Sequence, residues 1–294
     1  MSLAYIATML DWITGSETEL RLSGFLGALV LFSVLEAAFP RRKRSQNRIH
    51  RWTTNIGMVV TANLLMRSLA FGIPLIAGAS AAAWAETRGI GLLNQFSLPI
   101  GVDTVLALLS LDFAIWLQHV ISHRVPLFWR FHAMHHADHD FDATTALRFH
   151  PAEIVASSLY KVAWVMALGP SVAAVILFEI VLNACALFNH SNLALPRGLD
   201  RMLRWGFVTP DMHRVHHSDR PNEHHRNFGF CLSIWDRLFG TYKAQPALGH
   251  TTMTIGFGKA SPAHPERFWS SLIFPAIWSP KSAEAVRTKE KQAP

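Results

Sequence analysis

The sequence predicts an all-α integral membrane protein, a bundle of about four transmembrane helices. Half of the 294 residues are hydrophobic, and the mean hydropathy of +0.21 is high for a soluble protein. The apolar residues form long blocks, which indicate membrane spans. The ten Trp and nineteen Phe residues suit an aromatic belt at the membrane surface as well as a core.

The first apolar block, 22–39, would be about 27 Å long as a helix, close to the thickness of a bilayer core. Pro40 ends it, and the basic run at 41–44 predicts a cytoplasmic loop by the positive-inside rule. The next block, 56–85, fits either one long span or an interfacial helix followed by a span from Ser68. Further spans are expected at 102–118, 154–168 and 172–188, the last two joined by a turn at Gly169-Pro170.

Charge and cysteine content narrow the class of protein. The net charge of +7 lies beside apolar spans, which favours an anionic membrane surface over nucleic acid as the partner. Cys185 and Cys231 are far apart, so neither a disulfide framework nor a cysteine-based zinc site is expected. Nucleotide-binding glycine motifs, GxSxG and HExxH do not occur, and the N-terminus lacks the basic region of a cleaved signal peptide.

Histidines are the main chemical feature of the chain. A cluster of the form HxxHH occurs twice, at 132–136 and 213–217, and His119 and His123 precede both at the end of an apolar stretch. On a helix, positions i, i+3 and i+4 share one face, so each run could aim three imidazoles at a common point. Buried imidazoles need a partner, and a metal ion supplies one. Two metal ions suit this many ligands better than one.

The sequence alone does not fix the roles of the remaining histidines. His190 follows a predicted span and is consistent with either a ligand or a hydrogen-bonded structural residue. His150 is interpreted as a residue that supports the ligands, and Asp112, inside a span, as a hydrogen-bond partner for a ligand histidine. His139, His224 and His225 lie near the clusters but break their spacing, so we expect surface or supporting positions. His50, His250 and His264 are expected to take no part.

At these residues the chain resembles the fatty acid hydroxylase/sterol desaturase superfamily, the integral-membrane, histidine-box di-iron oxygenases, and in particular its bacterial sterol desaturase family members. The histidine boxes carry the resemblance together with three further motifs: Arg148 to Glu153, Asn189 to Asn192, and Asn227-Phe228-Gly229. It continues to the run 235–242, and so covers about residues 100–245.

The resemblance implies transmembrane helices carrying a cytosolic helical cap, with a histidine-rich dimetal site between them. It implies two Fe ions, O₂ as co-substrate and an external electron donor. The implied ligands are His119, His123, His132, His135, His136, His190, His213, His216 and His217. Asp112, His150, Glu153 and Asn227 are expected to support these ligands. Some family members carry a further histidine where this chain has Ala186.

Three regions are expected on this basis. Residues 1–100 form an N-terminal transmembrane region, 101–245 a catalytic region of the fatty acid hydroxylase type, and 246–294 an interfacial segment with a basic tail from Lys281. The crossings place every histidine cluster on the cytoplasmic side of a membrane, which for a bacterial protein is the inner membrane.

The expected function is therefore O₂-dependent oxidation of an apolar lipid, by hydroxylation or desaturation, at the boundary between membrane and cytosol. A fatty acyl, sterol-like or ether lipid would suit it. Electrons would come from a separate ferredoxin- or cytochrome-like protein, because the chain lacks a nucleotide-binding motif. The alternative from another class is a membrane metal-binding or transport protein without oxygenase activity, which would need ligands along a path through the bilayer.

Overall fold

The computed structural model describes residue 12, residues 14–258, residue 261 and residues 264–278. The tail expected from Lys281 lies outside these residues. The long helices are α1 (Glu17–Ala38), α2 (Arg48–Gly72), α3 (Gly78–Thr87), α4 (Ile100–Arg124), α5 (Pro126–His136), α6 (Pro151–Leu168) and α7 (Val172–His190). Shorter helices follow: α8 (Arg197–Leu203), α9 (Pro210–His216), α10 (Pro221–His224), α11 (Ile234–Leu238), α12 (Phe268–Leu272) and α13 (Phe274–Ile277).

Three of these helices, α1, α4 and α7, are long and apolar enough to cross a membrane. Among the described residues β-pairing is limited to isolated bridges, so the prediction of an all-α membrane fold is confirmed. The other expected crossing at 154–168 corresponds to α6, which packs against α2, α3 and α4. A left-handed Gly169, with φ of 68°, makes the predicted turn between α6 and α7.

The apolar block 56–85 folds in neither of the two expected ways. Helix α2 runs through Ser68 to Gly72, and the chain then breaks at Ile73 before the shorter α3 begins. Pro74 explains the break, because it lacks an N–H and disfavours helical backbone in the residue before it. At ten residues α3 is about 15 Å long, too short to cross a bilayer.

Helix α7 is the centre of the bundle, since it packs against α1, α3, α4 and α9. Ala81 and Ala82 of α3, Leu111 of α4, and Val175 and Phe178 of α7 form one buried apolar cluster between these helices. Ser171 caps the start of α7 by accepting a hydrogen bond from Ala174 N, which fixes where the helix begins. The helix ends at His190 and so delivers this side chain to one end of the bundle.

The short helices α8–α11 and the loops between them form a cap over that end of the bundle. The basic loop after α1 lies against this cap, because Arg41 N donates to Asn192 O over 2.8 Å and Arg42 Nη1 to His250 O over 2.7 Å. Helix α12 packs against α2, and helix α13 packs against α5. In this segment Phe274 and Trp278 are buried, whereas Trp269 is 71% exposed, so only one face suits the expected interfacial position.

Candidate metal centre

Four helices bring the histidines together at the capped end of the bundle. The last turns of α4 carry His119 and His123, and the end of α7 carries His190. Helix α5 follows α4 after a single residue, Val125, so the first HxxHH run turns back against the end of α4. The second run lies on α9, which begins at Pro210 and is capped by Thr209. The structure thus brings all nine predicted ligand residues together.

The nine rings come from three sequence runs and from His190, and in the structure they form two groups. One group contains five histidines and the other four, and within each group ring nitrogens of all members lie within 4.8 Å of one another. The group of five is His119, His123, His132, His136 and His216. The group of four is His135, His190, His213 and His217. Their ring nitrogens are buried, and no other described residues form such a histidine cluster.

The expectation that each HxxHH run serves a common point is wrong. In α5, His132 and His136 belong to the group of five while His135 belongs to the group of four, and the run on α9 is divided in the same way. At 3.6 residues per turn, positions i and i+4 are only about 40° apart around the helix, whereas i+3 lies about 60° to the other side. Each run therefore links the two groups, and the groups adjoin: the rings of His136 and His217 stack at 4.5 Å.

Hydrogen bonds at Nδ1 fix the orientation of several rings. Nδ1 of His135 lies 3.2 Å from Arg148 O, Nδ1 of His190 lies 2.7 Å from Ala186 O, and Nδ1 of His119 lies 2.8 Å from Phe228 O. A carbonyl oxygen can only accept, so Nδ1 carries the proton in each of these rings. When the ring is neutral, Nε2 then presents a lone pair to the interior of its group.

The inward-facing nitrogens approach each other without a proton to share. Nε2 of His190 lies 3.1 Å from Nε2 of His135, and Nε2 of His119 lies 3.1 Å from Nε2 of His132, whose Nδ1 faces Glu153. Two lone pairs at this distance repel unless a cation lies between them. Burial and the neighbouring imidazoles lower the pKa of five histidines of the two HxxHH runs well below the usual value, so a proton is a poor bridge. This applies to His135, His136, His213, His216 and His217.

Metal ions fit this arrangement. Two ring nitrogens bound to one metal at about 2.1 Å lie about 3 Å apart, close to the separations of the inward-facing nitrogens. Further ring nitrogens of His123, His136, His216 and His217 are buried without a hydrogen-bond partner among the described residues. Imidazole donors suit iron, copper, zinc and nickel. The donor set thus fits a pair of transition-metal ions, one for each group.

Glu153 contacts the group of five directly. Its Oε1 accepts a hydrogen bond from Nδ1 of His132 over 2.7 Å, which holds that ring with Nε2 inward. Its Oε2 is buried without a hydrogen-bond partner among the described residues. Beside it, Phe149 stacks on His135 at 4.4 Å, nearly parallel, and excludes water from that ring.

The other three residues expected to support the ligands lie further away. Asp112 accepts from Cys231 N, Leu232 N and the Trp235 indole, so it anchors the loop before α11 rather than a ligand histidine. His150 accepts from Ala152 N and caps α6, with its other ring nitrogen at Leu272 O.

Asn227 acts on the ligands through the backbone. It adopts a left-handed conformation with φ of 55°, and its side chain donates to Met212 O and Lys243 O. The carbonyls on either side of it, Arg226 O and Phe228 O, accept from Nδ1 of His216 and of His119. One short segment therefore orients two rings of the group of five.

Asp236 supports the same segment and was not among the predicted site residues. Its carboxylate accepts from the backbone N–H groups of Phe228 and Gly229, each over 2.8 Å, from Thr241 Oγ1 over 2.6 Å, and from the Trp116 indole over 3.2 Å. The only available sequence signal was its place in the run 235–242 that carried the family resemblance.

Other supporting residues also went unpredicted, because each acts across a long stretch of sequence. Glu36, fully buried near the end of α1, accepts from Ala143 N and Asn192 N, which flank two of the histidine segments. An acidic residue near the end of an apolar span was the available signal. Arg148 is buried as well, and its guanidinium donates to Met134 O beside His135.

The remaining histidines have mixed positions. His224 is buried, stacks on Trp129 at 5.6 Å and donates from Nδ1 to Ser218 O, so of the two expected positions it takes the supporting one rather than the surface one. His225 lies 5.5 Å from the ring of His123. His50 and His264 are exposed and away from the centre, as expected.

A cavity of about 390 Å³ reaches the centre from within the membrane helices. Its wall is largely apolar and includes Phe25, Val59, Met66, Ile115, Ile154 and Leu182. At the capped end it is lined by His119, His132 and Glu153. Its volume lies within the range of small-molecule binding sites. The histidine centre is therefore open to an apolar ligand from the helix bundle and is covered on the opposite side by the cap.

Comparison with known proteins supports the family resemblance that the sequence motifs indicate. The model of the Fatty acid hydroxylase family matches residues 104–241. Ornithine lipid hydroxylase OlsE of Rhizobium tropici is 31% identical over 162 residues, which are 53% of this chain and 46% of that protein. Alkylglycerol monooxygenase of Xenopus tropicalis is 34% identical over 138 residues, 47% of this chain and 30% of that protein. Cholesterol 25-hydroxylase of Rattus norvegicus is 25% identical over 144 residues, 48% and 47% of the two chains.

The matched region contains all nine histidines and Glu153, and over this region the chain is similar to the fatty acid hydroxylase family. The resemblance deduced from the sequence is thereby confirmed. The chain spans less than half the length of these three relatives. No solved structure gives a significant match.

Proposed function

We propose that the protein is an O₂-dependent lipid oxidoreductase that hydroxylates or desaturates an apolar lipid with the help of two iron ions. The observation that carries the proposal is the pair of buried histidine groups at the end of an apolar cavity between membrane helices. The nine predicted histidines would be the ligands, five for one ion and four for the other.

Iron held by nitrogen ligands would supply the O₂-derived oxidising power that an unactivated C–H bond requires. The residues of the chain would bind the ions, orient the histidine rings and shield the centre from water. The carbonyls of Arg148, Ala186 and Phe228 fix which ring nitrogen faces inward. Glu153 holds His132 through Oε1 and lines the cavity at its capped end.

The apolar wall determines the class of substrate that we propose. Phe25, Ile115 and Leu182 offer dispersion contacts but few directional ones, so they accept fatty acyl, sterol-like or ether-lipid groups alike. The names of the three relatives mention an ornithine lipid, an alkylglycerol and cholesterol, and lipid is what they share. Electrons are proposed to come from a separate ferredoxin- or cytochrome-like protein.

For the location we propose a bacterial inner membrane with the cap on its cytoplasmic side. The basic loop at 41–44 supports this orientation because it packs against the cap, and basic loops favour the cytoplasmic side. A metal transporter is less well supported, since its ligands would be expected near the middle of the bilayer, whereas these histidines meet at one end of the helices.

Comparative lipid mass spectrometry tests the function and identifies the substrate. Cells that contain the protein are expected to hold a lipid that has gained one oxygen or lost two hydrogens relative to cells without it. The matched control is a chain with His135→Ala and His216→Ala, which should give the lipid profile of cells without the protein.

A second measurement separates the enzyme from a metal-binding or transport protein. Purified, iron-loaded protein with a chemical reductant should consume O₂ when the identified lipid is added. Tight metal binding without lipid-dependent O₂ consumption, under every donor tried, would favour the transport or storage alternative.

A further inference from the structure

The end of the cavity remote from the histidines is lined by charged side chains. Arg21 of α1, Lys161 of α6 and Glu179 of α7 all face it. Lys161 Nζ pairs with Glu179 Oε1, and Arg21 Nη1 lies 2.5 Å from Glu179 Oε2. We refer to these three residues as the ion-pair cluster.

The position of this cluster indicates a role in ligand binding. Glu179 lies within a membrane-spanning helix and is only 10% exposed, and charges at such depth are costly unless they serve a purpose. Both of its oxygens are engaged by the two cations. Lys161 has three N–H donors, and among the described residues only Glu179 accepts from it. Unused donors therefore remain at the cavity end.

The balance of charge indicates what these donors can accept. Arg21 also pairs with Glu17, through Nε over 2.8 Å, so two acidic and two basic side chains neutralise one another. An anionic ligand would add an uncompensated charge within the membrane, whereas a neutral oxygen would not. The cluster thus suits a hydroxyl or carbonyl oxygen.

The start of α3 lies over the ion-pair cluster. At Gly78, the first residue of α3, an added Cβ would lie 3.2 Å from Glu179 Oε1 and 3.5 Å from Lys161 Cε, so the chain passes directly over the pair. Ser158 Oγ, one turn from Lys161, donates to Ile76 O over 2.6 Å and holds that turn in place. A ligand that enters the cavity can therefore place one end here and the other at the histidines.

The length of the cavity follows from helix geometry. Lys161 follows Glu153 by eight residues of α6, a rise of about 12 Å. Along α7, Glu179 precedes His190 by eleven residues, a rise of about 16 Å. The donors and the histidine centre are therefore separated by the length of an extended acyl or alkyl chain segment, or of a fused-ring skeleton.

We propose that the ion-pair cluster binds the neutral hydroxyl or carbonyl oxygen of an amphipathic lipid and so presents a carbon about 12–16 Å away to the histidine centre. The substrate would thus be an alcohol, glycerol ether or ester rather than a hydrocarbon or an anionic amphiphile. The binding orientation can be examined without turnover, whereas the site of oxidation rests on the proposed function.

Photolabelling of the metal-free, full-length protein tests the orientation. The probes are two long-chain primary alcohols, one with a diazirine beside the hydroxyl and one with a diazirine at the far end of the chain. The first should label peptides around Asn183 and Ser158, and the second those around Phe149 and Phe230. Equal labelling of both ends by both probes, or the reverse order, would overturn the proposal.

Competition with unlabelled ligands tests the chemical class. The same chain length is offered as an alcohol, as a permanently anionic sulfonate and as the alkane. The alcohol should compete about tenfold better than the alkane, because it gains a charge-assisted hydrogen bond, and better than the sulfonate. If the three compete equally, the cluster is a structural staple between helices and the proposal is wrong.

Variants give an independent check on Lys161. Lys161→Met should remove both the preference for alcohol and the end-specific labelling, whereas Lys161→Arg keeps donors and should keep both. Lys243→Met is the matched control, since Lys243 is a similarly exposed lysine that lies 3.6 Å from Glu223 in the cap. If turnover is later obtained, the oxidised carbon should lie at the predicted distance from the hydroxyl. Failure of turnover alone would count against the proposed function and leave the labelling result intact.

Discussion

His135 and His216 show how one residue serves both the fold and the site. Nδ1 of each donates to a backbone carbonyl, Arg148 O and Arg226 O respectively, and this bond leaves Nε2 directed inward. The spacing of the histidine boxes predicts eight of the nine rings that meet at the centre, whereas His190 was included only through the family resemblance. The spacing does not reveal the division into five and four, because that depends on how α5 and α9 are rotated relative to each other in the folded protein.

Replacing His135 or His216 by Ala should abolish lipid oxidation and release metal from one group each, while insertion into the membrane is retained. The reason is that each change deletes one inward-facing nitrogen and leaves the apolar helices untouched. Metal content per chain and product formation would be measured together. His50→Ala, at an exposed histidine outside both groups, is the control. Full activity in either ligand variant would refute its assignment as a ligand.

Glu153→Ala should lower metal affinity or activity by about 10- to 100-fold, the usual effect of removing a carboxylate that orients a ligand histidine. Glu153→Gln retains an oxygen that can accept from His132 Nδ1 and should lose less. Competitive chelator titration gives the affinity. Glu266→Gln, at a carboxylate near the surface, should leave it unchanged. An Ala variant that binds metal like the parent would show that His132 needs no carboxylate partner.

At the scale of helices and segments, buried ion pairs hold α2 against the stretch between the first histidine box and α6. Arg51 near the start of α2 contacts Asp138 over 2.7 Å and Asp142 over 2.6 Å, and all three are almost fully buried. The sequence predicted α6 and α7 to within three residues at each end, whereas α1 begins five residues before its predicted span and α4 ends six residues after it. The length of an apolar run decides where a span lies but not where its helix ends. The sequence could not predict the ion pairing, whose partners lie almost ninety residues apart.

Arg51→Met should destabilise the fold by about 3–5 kcal/mol, because it leaves two buried carboxylates without their cation. Thermal unfolding in detergent, followed by circular dichroism, would measure the loss. Arg48→Met is the control, since Arg48 lies over the Trp52 ring near the surface and makes a weaker contact. A similar effect of both changes would mean that the buried pairing adds nothing of its own.

Acidic pH should weaken the ion pair between Arg51 and Asp138. Burial alone would raise the pKa of Asp138, but the charge and hydrogen bonds of Arg51 outweigh it, and the pKa lies below the usual value. Its stabilising contribution is therefore complete above an unfolded pKa of about 3.9 and is lost as pH falls towards the folded pKa. Unfolding midpoints should fall as the pH drops below about 4, with a shallower slope in Asp138→Asn. An equal slope in the variant would contradict the assignment.

At the scale of the whole molecule, the helix bundle and the cap have different roles. The helices supply an apolar cavity with an ion-pair cluster at one end, and the cap closes the other end over the histidines. The membrane class, the family resemblance and most of the histidines that meet at the centre could be predicted from apolar blocks and motif spacing. The cavity could not, because it depends on side chains from α1, α2, α4, α6 and α7 meeting across large distances in sequence.

The late packing of α12 and α13 has a consequence for biogenesis. The guanidinium of Arg148, whose own carbonyl holds His135, donates to Pro265 O over 2.6 Å and to Ser271 Oγ over 2.9 Å. A nascent chain that ends at residue 265 already contains all nine histidines of the two groups, but the Arg148 guanidinium still lacks the acceptor on Ser271. If the two groups hold metal ions as proposed, loading with the correct ion is expected only after the chain has left the translation machinery.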